Sequence, residues 1–197
     1  MPTVNERSAK DMPIQSFATS QEWREWLVKN HANSDGVWLR LFKKDSGERS
    51  VTHAEALDEA LCYGWIDGQA DKYDTKSWLQ KFTPRRAKSI WSKRNREHVA
   101  RLIKEKRMKS AGLRAVEEAR KDGRWDQAYD SPKDMKAPAD FLKELRKNAR
   151  AYEFFKTLNK TNTYAIAWRL QTAKKPETRE KRMKAILSIL DKGEKFH

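Results

Sequence analysis

Short blocks of hydrophobic and polar residues follow one another along the chain, and the first of them predict two capped helices. Thr19 with Glu22, and Thr52 with Glu55, have the spacing of a capping box, in which two side chains bond the first N–H groups of a helix. Gly64 stands where a left-handed cap would end the second helix. Apolar residues at helical spacing are predicted to face the core: Trp23, Trp26 and Leu27 in the first helix, and Leu57, Ala60 and Leu61 in the second.

Three segments rich in β-branched and aromatic residues predict strands. Residues 37–42 form the first segment and end close to the turn signal at 45–47. Residues 65–67 and 78–82 predict two further short strands, which the polar stretch 68–76 joins. Three such strands favour a small antiparallel sheet.

From Ser89 onward the spacing of apolar residues is helical. One helix is predicted to begin near Ser89 or Ser92, and a second is predicted to end near Gly123. The stretch 126–138 predicts a linker because it is polar and contains two prolines. Beyond it, four helices are predicted from the apolar positions Phe141, Leu142, Leu145, Ala151, Phe154, Phe155, Leu158, Tyr164, Ile166, Ala167, Trp168, Leu170, Met183, Ile186, Leu187 and Leu190.

These elements predict an α+β fold that is predominantly helical. A small, antiparallel, three-stranded sheet with packed helices is followed by a helical C-terminal subdomain. The first 15 residues lack periodicity and are expected to form a flexible arm. The expected organisation is therefore an arm at 1–15, an α+β domain at 16–125, a linker at 126–138 and a helical subdomain at 139–197.

The basic charge of the chain is concentrated in its middle. The 197 residues carry 43 Lys and Arg against 28 Asp and Glu, a formal net charge of +15. Residues 76–110 alone hold 13 basic and 2 acidic side chains, whereas residues 1–75 carry a net charge of −4. Such a cluster favours an anionic partner. The alternative is a solvated face that keeps the protein soluble, and both interpretations stay open at this point.

Composition and motifs exclude several classes of protein. Eight Trp, seven Phe and five Tyr supply more apolar surface than a disordered chain has. No apolar run approaches the roughly 20 residues of a membrane helix, and the N-terminus lacks the apolar core of an export signal, so we expect a cytoplasmic protein. Phosphate-loop, dinucleotide-binding and hydrolase-elbow motifs do not occur, and the histidines lack metal-ligand spacing. We therefore expect no cofactor and no bound metal, and we favour a protein that is not an enzyme.

The isolated reactive side chains have ordinary interpretations. Cys62, the single cysteine, excludes internal disulfides and multi-cysteine zinc sites. Its place near a helix end predicts a buried, inert thiol. His53 and His98 are interpreted as ordinary surface or cap-proximal histidines, since the histidines are scattered along the chain and show no metal-ligand spacing.

The strongest candidate site lies between residues 63 and 95. Asp67 places an acid in an aromatic strand, and Arg85 and Arg86 follow the next strand, where two guanidinium groups can clamp a carboxylate or phosphate. A helix begins shortly afterwards, and its N-terminal end favours an anion, while tryptophans supply flat apolar walls. The candidate ligand-binding residues are Trp65, Asp67, Arg85, Arg86, Ser89, Trp91, Ser92 and Asn95.

A purely structural interpretation of the same residues competes with the ligand site. Asp67 would pair with Arg85 or Arg86 and tie the strand to the following loop. Ser89 or Ser92 would cap the helix, and the tryptophans would fill the core. The two interpretations differ in whether these side chains line one concave site.

Several ordered blocks of this chain resemble one family. Residues 59–67 (EALCYGWID), 82–86 (FTPRR) and 89–95 (SIWSKRN), with further blocks up to Trp125 and at 173–182, are similar to the YdeI/OmpD-associated family, whose members are also labelled bacteriocin-protection or OmdA-like proteins. The resemblance begins near residue 17. It implies a role in bacterial stress and in resistance to antimicrobial peptides or bacteriocins, and it carries over no catalytic residue.

Three functions follow, in order of preference. The first is a non-enzymatic stress-protection or binding protein that engages an anionic ligand or macromolecule through a basic aromatic surface at 85–109; nucleic acid would be bound without sequence specificity, because no base-reading motif occurs. The second is a small-ligand-binding protein or enzyme with a site around Asp67, Arg85 and Arg86. The third is a cytoplasmic scaffold for an unknown protein partner. A membrane surface is disfavoured, because the apolar stripe of the last helix lacks aromatic anchors.

Overall fold

The computed structural model of the chain describes residues 12–131 and 133–195. Within them the strands are β1 (Ile14–Gln15), β2 (Val37–Phe42), β3 (Trp65–Lys72) and β4 (Ser77–Pro84). The helices are α1 (Ser20–Asn30), α2 (His53–Cys62), α3 (Lys93–Lys104), α4 (Ser110–Lys121), α5 (Ala139–Leu145), α6 (Ala149–Lys156), α7 (Lys160–Gln171) and α8 (Pro176–Asp191).

The chain divides into two compact units, which are described separately. The first unit holds the described residues up to Ile90 together with Asn95–Asp126. The second unit holds Trp91–Arg94 together with the described residues from Gln127 onward. The domain boundaries at 16–125, 126–138 and 139–197 stay a prediction.

Both predicted N-terminal helices are confirmed, and their caps show why they begin where they do. The Thr19 hydroxyl accepts the N–H of Glu22 at 3.2 Å, and the Glu22 carboxylate accepts the N–H of Ala18 at 2.8 Å. At α2 the box is complete: the Thr52 hydroxyl accepts the N–H of Glu55 at 3.3 Å, and the Glu55 carboxylate accepts the N–H of Thr52 at 2.9 Å. Side chains only three residues apart in the sequence therefore fix the first residue of both helices.

The predicted three-stranded antiparallel sheet is wrong. The sheet has four strands in the order β1-β2-β4-β3 and is mixed, because β1 pairs parallel to β2 while the other two pairs are antiparallel. The additional strand comprises only Ile14 and Gln15, both exposed, and two exposed residues cannot show a period of two. Residues 12–15 of the predicted arm thus lie along the sheet edge, where the Trp38 N–H donates to Pro13 O at 2.9 Å; residues 1–11 lie outside the described residues.

The stretch 68–76, predicted as a connector, is largely strand. β3 continues through Lys72, and its pairing with β4 shifts register between Asp67 and Ala70. The short turn that follows is held by Asp74, whose carboxylate accepts the N–H groups of Lys76 and Ser77. The exposed polar sequence of β3 is that of an edge strand, which explains why its apolar pattern ends early.

Aromatic residues fill the core of the first unit. Trp23 from α1 lies 5.6 Å from the ring of Phe82 on β4 and meets Trp65 edge-on at 6.4 Å. The indole N–H of Trp23 donates to Ala56 O, and that of Trp65 donates to His31 O, each at 3.0 Å. Both indoles are therefore buried with their polar atom satisfied.

The helices α5–α8 build a separate core in the second unit. Its buried residues are all among the apolar positions from which these helices were predicted. Pro176 occupies the first turn of α8, where its missing N–H leaves no hydrogen bond unmade. Ile186 and Leu190 are fully or almost fully buried, so the apolar side of α8 packs within its own unit. The fully packed members are Phe141, Leu145, Ala151, Ile166, Leu170, Ile186 and Leu190.

The start of α4 lies directly against the C-terminal end of α2. A Cβ placed on Gly112 would stand 2.4 Å from Cys62 O and 2.7 Å from Leu61 O, both backbone atoms. The Lys109 N–H also donates to Cys62 O at 3.0 Å. Only a residue without a side chain allows this approach between the two helices.

Replacement of that glycine tests the contact. Gly112→Ala should lower the free energy of unfolding by about 1–3 kcal/mol, because overpacking against backbone outweighs alanine's better helix propensity. Urea denaturation followed by circular dichroism measures it. Gly68→Ala is the matched control, since its new methyl would meet nothing closer than 3.8 Å, and it should change stability by less than about 0.5 kcal/mol. Equal stability of both variants would contradict the close approach.

Candidate functional site

The two candidate residues on β3 have different surroundings. Trp65 is 1% exposed and belongs to the aromatic core. Asp67 is half-buried, and its carboxylate lies 3.1 Å from Nε2 of His53, the first residue of α2. Sequence reasoning treated His53 as an ordinary histidine, and its pairing across the α2–β3 contact had no sequence signal.

Three candidate residues lie in the segment that follows β4. The Arg85 guanidinium donates to Ile90 O at 2.8 Å, and the Arg86 N–H donates to the Ser89 hydroxyl at 3.1 Å. Ser89 O in turn accepts from the Arg124 guanidinium at 2.9 Å. These bonds hold the segment in a fixed shape, and Arg86 itself is exposed.

The last three candidates flank the start of α3. Trp91 and Ser92 belong to the second unit, where Trp91 O accepts the N–H of Tyr129 at 3.0 Å and Trp91 is 2% exposed. Asn95 belongs to the first unit and lies, half-buried, in the first turn of α3. As a joint ligand site the eight candidates stay a prediction.

The buried carboxylate of Glu59 accepts hydrogen bonds from two arginines, one of which belongs to the basic middle of the chain. The Glu59 side chain is 3% exposed and accepts two hydrogen bonds from Arg24, both at 2.8 Å, and one from Arg107 at 2.7 Å. Burial alone would raise the pKa of Glu59, but the hydrogen bonds from Arg24 and Arg107 together outweigh it, and the pKa is lowered. Glu59 therefore stays ionised and holds α1, α2 and the segment after α3 together.

A second acid on α2 binds α3 in the same way. The Asp58 carboxylate accepts from Arg101 at 2.6 and 2.7 Å and lies 2.8 Å from Nδ1 of His98. Burial opposes ionisation here too, yet the hydrogen bonds from Arg101 and His98 lower the pKa of Asp58. Glu105 links Arg101 to Arg107 with bonds of 3.2 Å. Arg101 and Arg107 from the basic middle of the chain thus neutralise Asp58 and Glu59 of α2.

The lysines at the end of α3 and before α4 are arranged differently. Lys104, Lys106 and Lys109 are exposed and have no ion pair among the described residues. In the chain they lie between two exposed aliphatic residues, Ile103 (40% exposed) and Leu113 (44% exposed). Val99 and Leu102 are the buried residues of this helix, whereas Ile103 faces solvent. We call this surface the α3–α4 corner; it comprises Ile103, Lys104, Lys106, Lys109, Leu113 and Arg114.

A cavity of about 700 Å³ opens elsewhere in the first unit. It lies between the first residues of α1 and α2, the loop after β2 and the start of β4. His53 is part of its wall, and that histidine carries the bond to Asp67. The lining residues are Ala18, Thr19, Ser20, Phe42, Lys43, Lys44, Glu48, Arg49, Ser50, Val51, Thr52, His53, Glu55 and Trp78.

The single thiol is chemically quiet. Burial, followed by the charge of Glu59, raises the pKa of Cys62 to about 11, so the thiolate is scarce at neutral pH. Among the described residues, no group of three or more His, Cys, Asp or Glu side chains is placed to hold a metal ion. None of the described helices has the length and apolar character needed to cross a membrane.

Two family models match different parts of the chain. Residues 15–115, just over half of the chain, match the family described as Domain of unknown function (DUF8412). Residues 134–193 match the family described as Bacteriocin-protection, YdeI or OmpD-Associated. The resemblance to that second family is thus confirmed for the C-terminal part, whereas the blocks at 59–95 lie in the region of the first model. Comparisons with curated proteins and with solved structures found no match.

The acid at the centre of the first unit predicts how stability depends on pH. Because the pKa of Glu59 is lower in the folded chain than in the unfolded one, its contribution is present above the unfolded pKa and is lost as the pH falls through the folded pKa. Glu59→Gln should lower the free energy of unfolding at pH 7 by about 1–3 kcal/mol and flatten its fall below pH 5. Urea denaturation between pH 3 and pH 7 measures both effects.

Glu97→Gln is the control for this experiment. It makes the same chemical change at an exposed position of α3 and should leave both the stability and its pH profile close to wild type. An unchanged acid profile in Glu59→Gln would show that the carboxylate is not held ionised by its arginines.

Proposed function

We propose that this chain, which belongs to the DUF8412 family, is a binding protein of the YdeI/OmpD-associated type that engages nucleic acid through the α3–α4 corner. In this proposal it acts without catalysis, in the cytoplasm, as a stress-protection protein. The interaction is electrostatic and reads the phosphate backbone. The corner overlaps the C-terminal end of the basic surface expected at 85–109 and extends beyond it to Arg114.

The observation that carries the proposal is that several basic side chains are bonded within the fold while others are exposed and have no ion pair. Arg101 and Arg107 are bonded to buried or half-buried acids, and Arg96 donates to Trp125 O at 2.8 Å with its guanidinium 5.2 Å from the ring of that residue. Lys104, Lys106 and Lys109 of the corner are exposed, lie close together in the chain and have no ion pair among the described residues. Their charges are therefore available to an anionic partner.

The chemistry of the corner favours phosphates over bases or lipids. Lysine contacts phosphate as a point charge, and contacts to phosphate carry no sequence information, so we expect no sequence preference. Trp65 and Trp91 are buried and offer no stacking surface for bases. Two isolated aliphatic side chains without an aromatic anchor give weak insertion into a membrane interface. A duplex nucleic acid is therefore the partner to which we commit.

Replacement of the lysines at the corner tests this proposal. Fluorescence anisotropy with a labelled DNA duplex, between about 50 and 200 mM salt, should show affinity that falls steeply as salt rises. The triple variant Lys104→Gln, Lys106→Gln, Lys109→Gln should bind more weakly and make the plot of log K against log salt shallower by about 2.7, since each lost phosphate contact contributes about 0.9.

The matched control removes three exposed lysines from the second unit. Lys174→Gln, Lys175→Gln, Lys181→Gln changes the net charge equally and should leave the slope nearly unchanged. An equal loss in both variants would mean that overall charge, not the corner, drives binding. Undetectable duplex binding at low salt, or tighter binding to vesicles of anionic phospholipid, would contradict the proposal.

A further inference from the structure

The cavity of the first unit has the size and lining of a small-molecule site. Its volume of about 700 Å³ falls within the usual range of ligand cavities, roughly 300–1,000 Å³. None of its lining residues belongs to the α3–α4 corner. We propose that it binds a planar aromatic anion, of the class of aryl phosphates and aryl carboxylates.

The apolar part of the lining suits a flat ring. Phe42 at the end of β2 and Trp78 near the start of β4 are half-buried, and Val51 is 1% exposed. Leu41 is paired with Trp78, so the Trp78 side chain lies on the same face of the sheet as the buried Leu41, whereas Phe42 lies on the opposite face with the Arg40 guanidinium 4.5 Å from its ring. The indole of Trp78, held by the sheet, is therefore the fixed wall against which a ring can stack.

The charged part of the lining suits an anion. Lys44 and Arg49 are exposed and have no ion-pair partner within the described ranges, so their charges are available to a ligand. Lys43 donates to Thr75 O at 2.7 Å, which fixes the loop that carries them. The exposed Glu48 is the one lining acid not already bonded in a helix cap, and it leaves a positive balance beside Lys44 and Arg49.

The beginning of α2 contributes the His53 side chain to this site, and its backbone N–H groups are not proposed to bind the anion. The Glu55 carboxylate already accepts the N–H and the hydroxyl of Thr52, at 2.9 and 2.7 Å, so the capping box brings its own negative charge to the helix end. His53 is the polar group left beside the apolar wall. Its bond to Asp67 fixes the imidazole, and such a fixed ring is a directional hydrogen-bonding group for a ligand.

Three small probes separate the parts of this site. Isothermal titration calorimetry with phenyl phosphate should show binding to the wild-type chain. Phenol lacks the charge and inorganic phosphate lacks the ring, and each should bind at least about tenfold more weakly, because each gains only part of the contacts. No binding of phenyl phosphate up to millimolar concentration, or equal binding of inorganic phosphate, would overturn the proposal.

Variants then locate the binding. The double variant Lys44→Gln, Arg49→Gln should weaken phenyl phosphate at least about tenfold, because charge-assisted bonds to the anion are lost. His53→Gln should weaken it by a smaller factor. Since both changed cations are exposed, thermal unfolding of the double variant should match that of the wild type. An unchanged affinity in the double variant would overturn the assignment.

Two further variants guard against a general charge effect. Lys143→Gln, Arg150→Gln makes the same change on exposed positions of the second unit and should leave phenyl phosphate affinity unchanged. The triple variant at the α3–α4 corner should also keep that affinity, which separates failure of this site from failure of the nucleic-acid proposal. A tenfold loss in either variant would contradict binding in the cavity.

Discussion

The buried carboxylate of Glu59 is the interaction on which the first unit depends. A buried charge costs several kcal/mol unless it is paired, and here Arg24 from α1 and Arg107 from the segment after α3 supply the partners. Three parts of the chain that are far apart in sequence must therefore meet at one residue of α2. The close approach at Gly112 follows from the same arrangement, because it brings the start of α4 against the end of that helix.

Because of this constraint, part of the positive charge in the middle of the chain is used within the fold. Its net charge of +11 over 35 residues suggests one uniform surface, but the structure separates arginines that neutralise acids on α2 from lysines that face solvent. Guanidinium groups suit the first role because their planar fork matches a carboxylate. The ammonium groups of the α3–α4 corner are left for an outside partner. One stretch of sequence thus serves both folding and the proposed binding.

Local sequence signals predicted the local features and missed those that depend on distant partners. The capping boxes at Thr19 and Thr52, the strand at 37–42 and the left-handed Gly64 are encoded within a few residues. The parallel strand β1 was missed because two exposed residues carry no pattern. The packing of α2 on the sheet brings His53 to Asp67 and forms the cavity beside them. No spacing of residues in the sequence predicts that packing.

The coupling between Glu59 and Arg107 tests the central claim most directly. Urea denaturation of the wild type, Glu59→Gln, Arg107→Gln and the double variant forms a complete thermodynamic cycle. If the buried carboxylate holds the segment after α3, the double variant should be less destabilised than the sum of the single variants by at least about 1 kcal/mol. Additivity within about 0.3–0.5 kcal/mol would show that the two side chains act independently, and it would contradict the account.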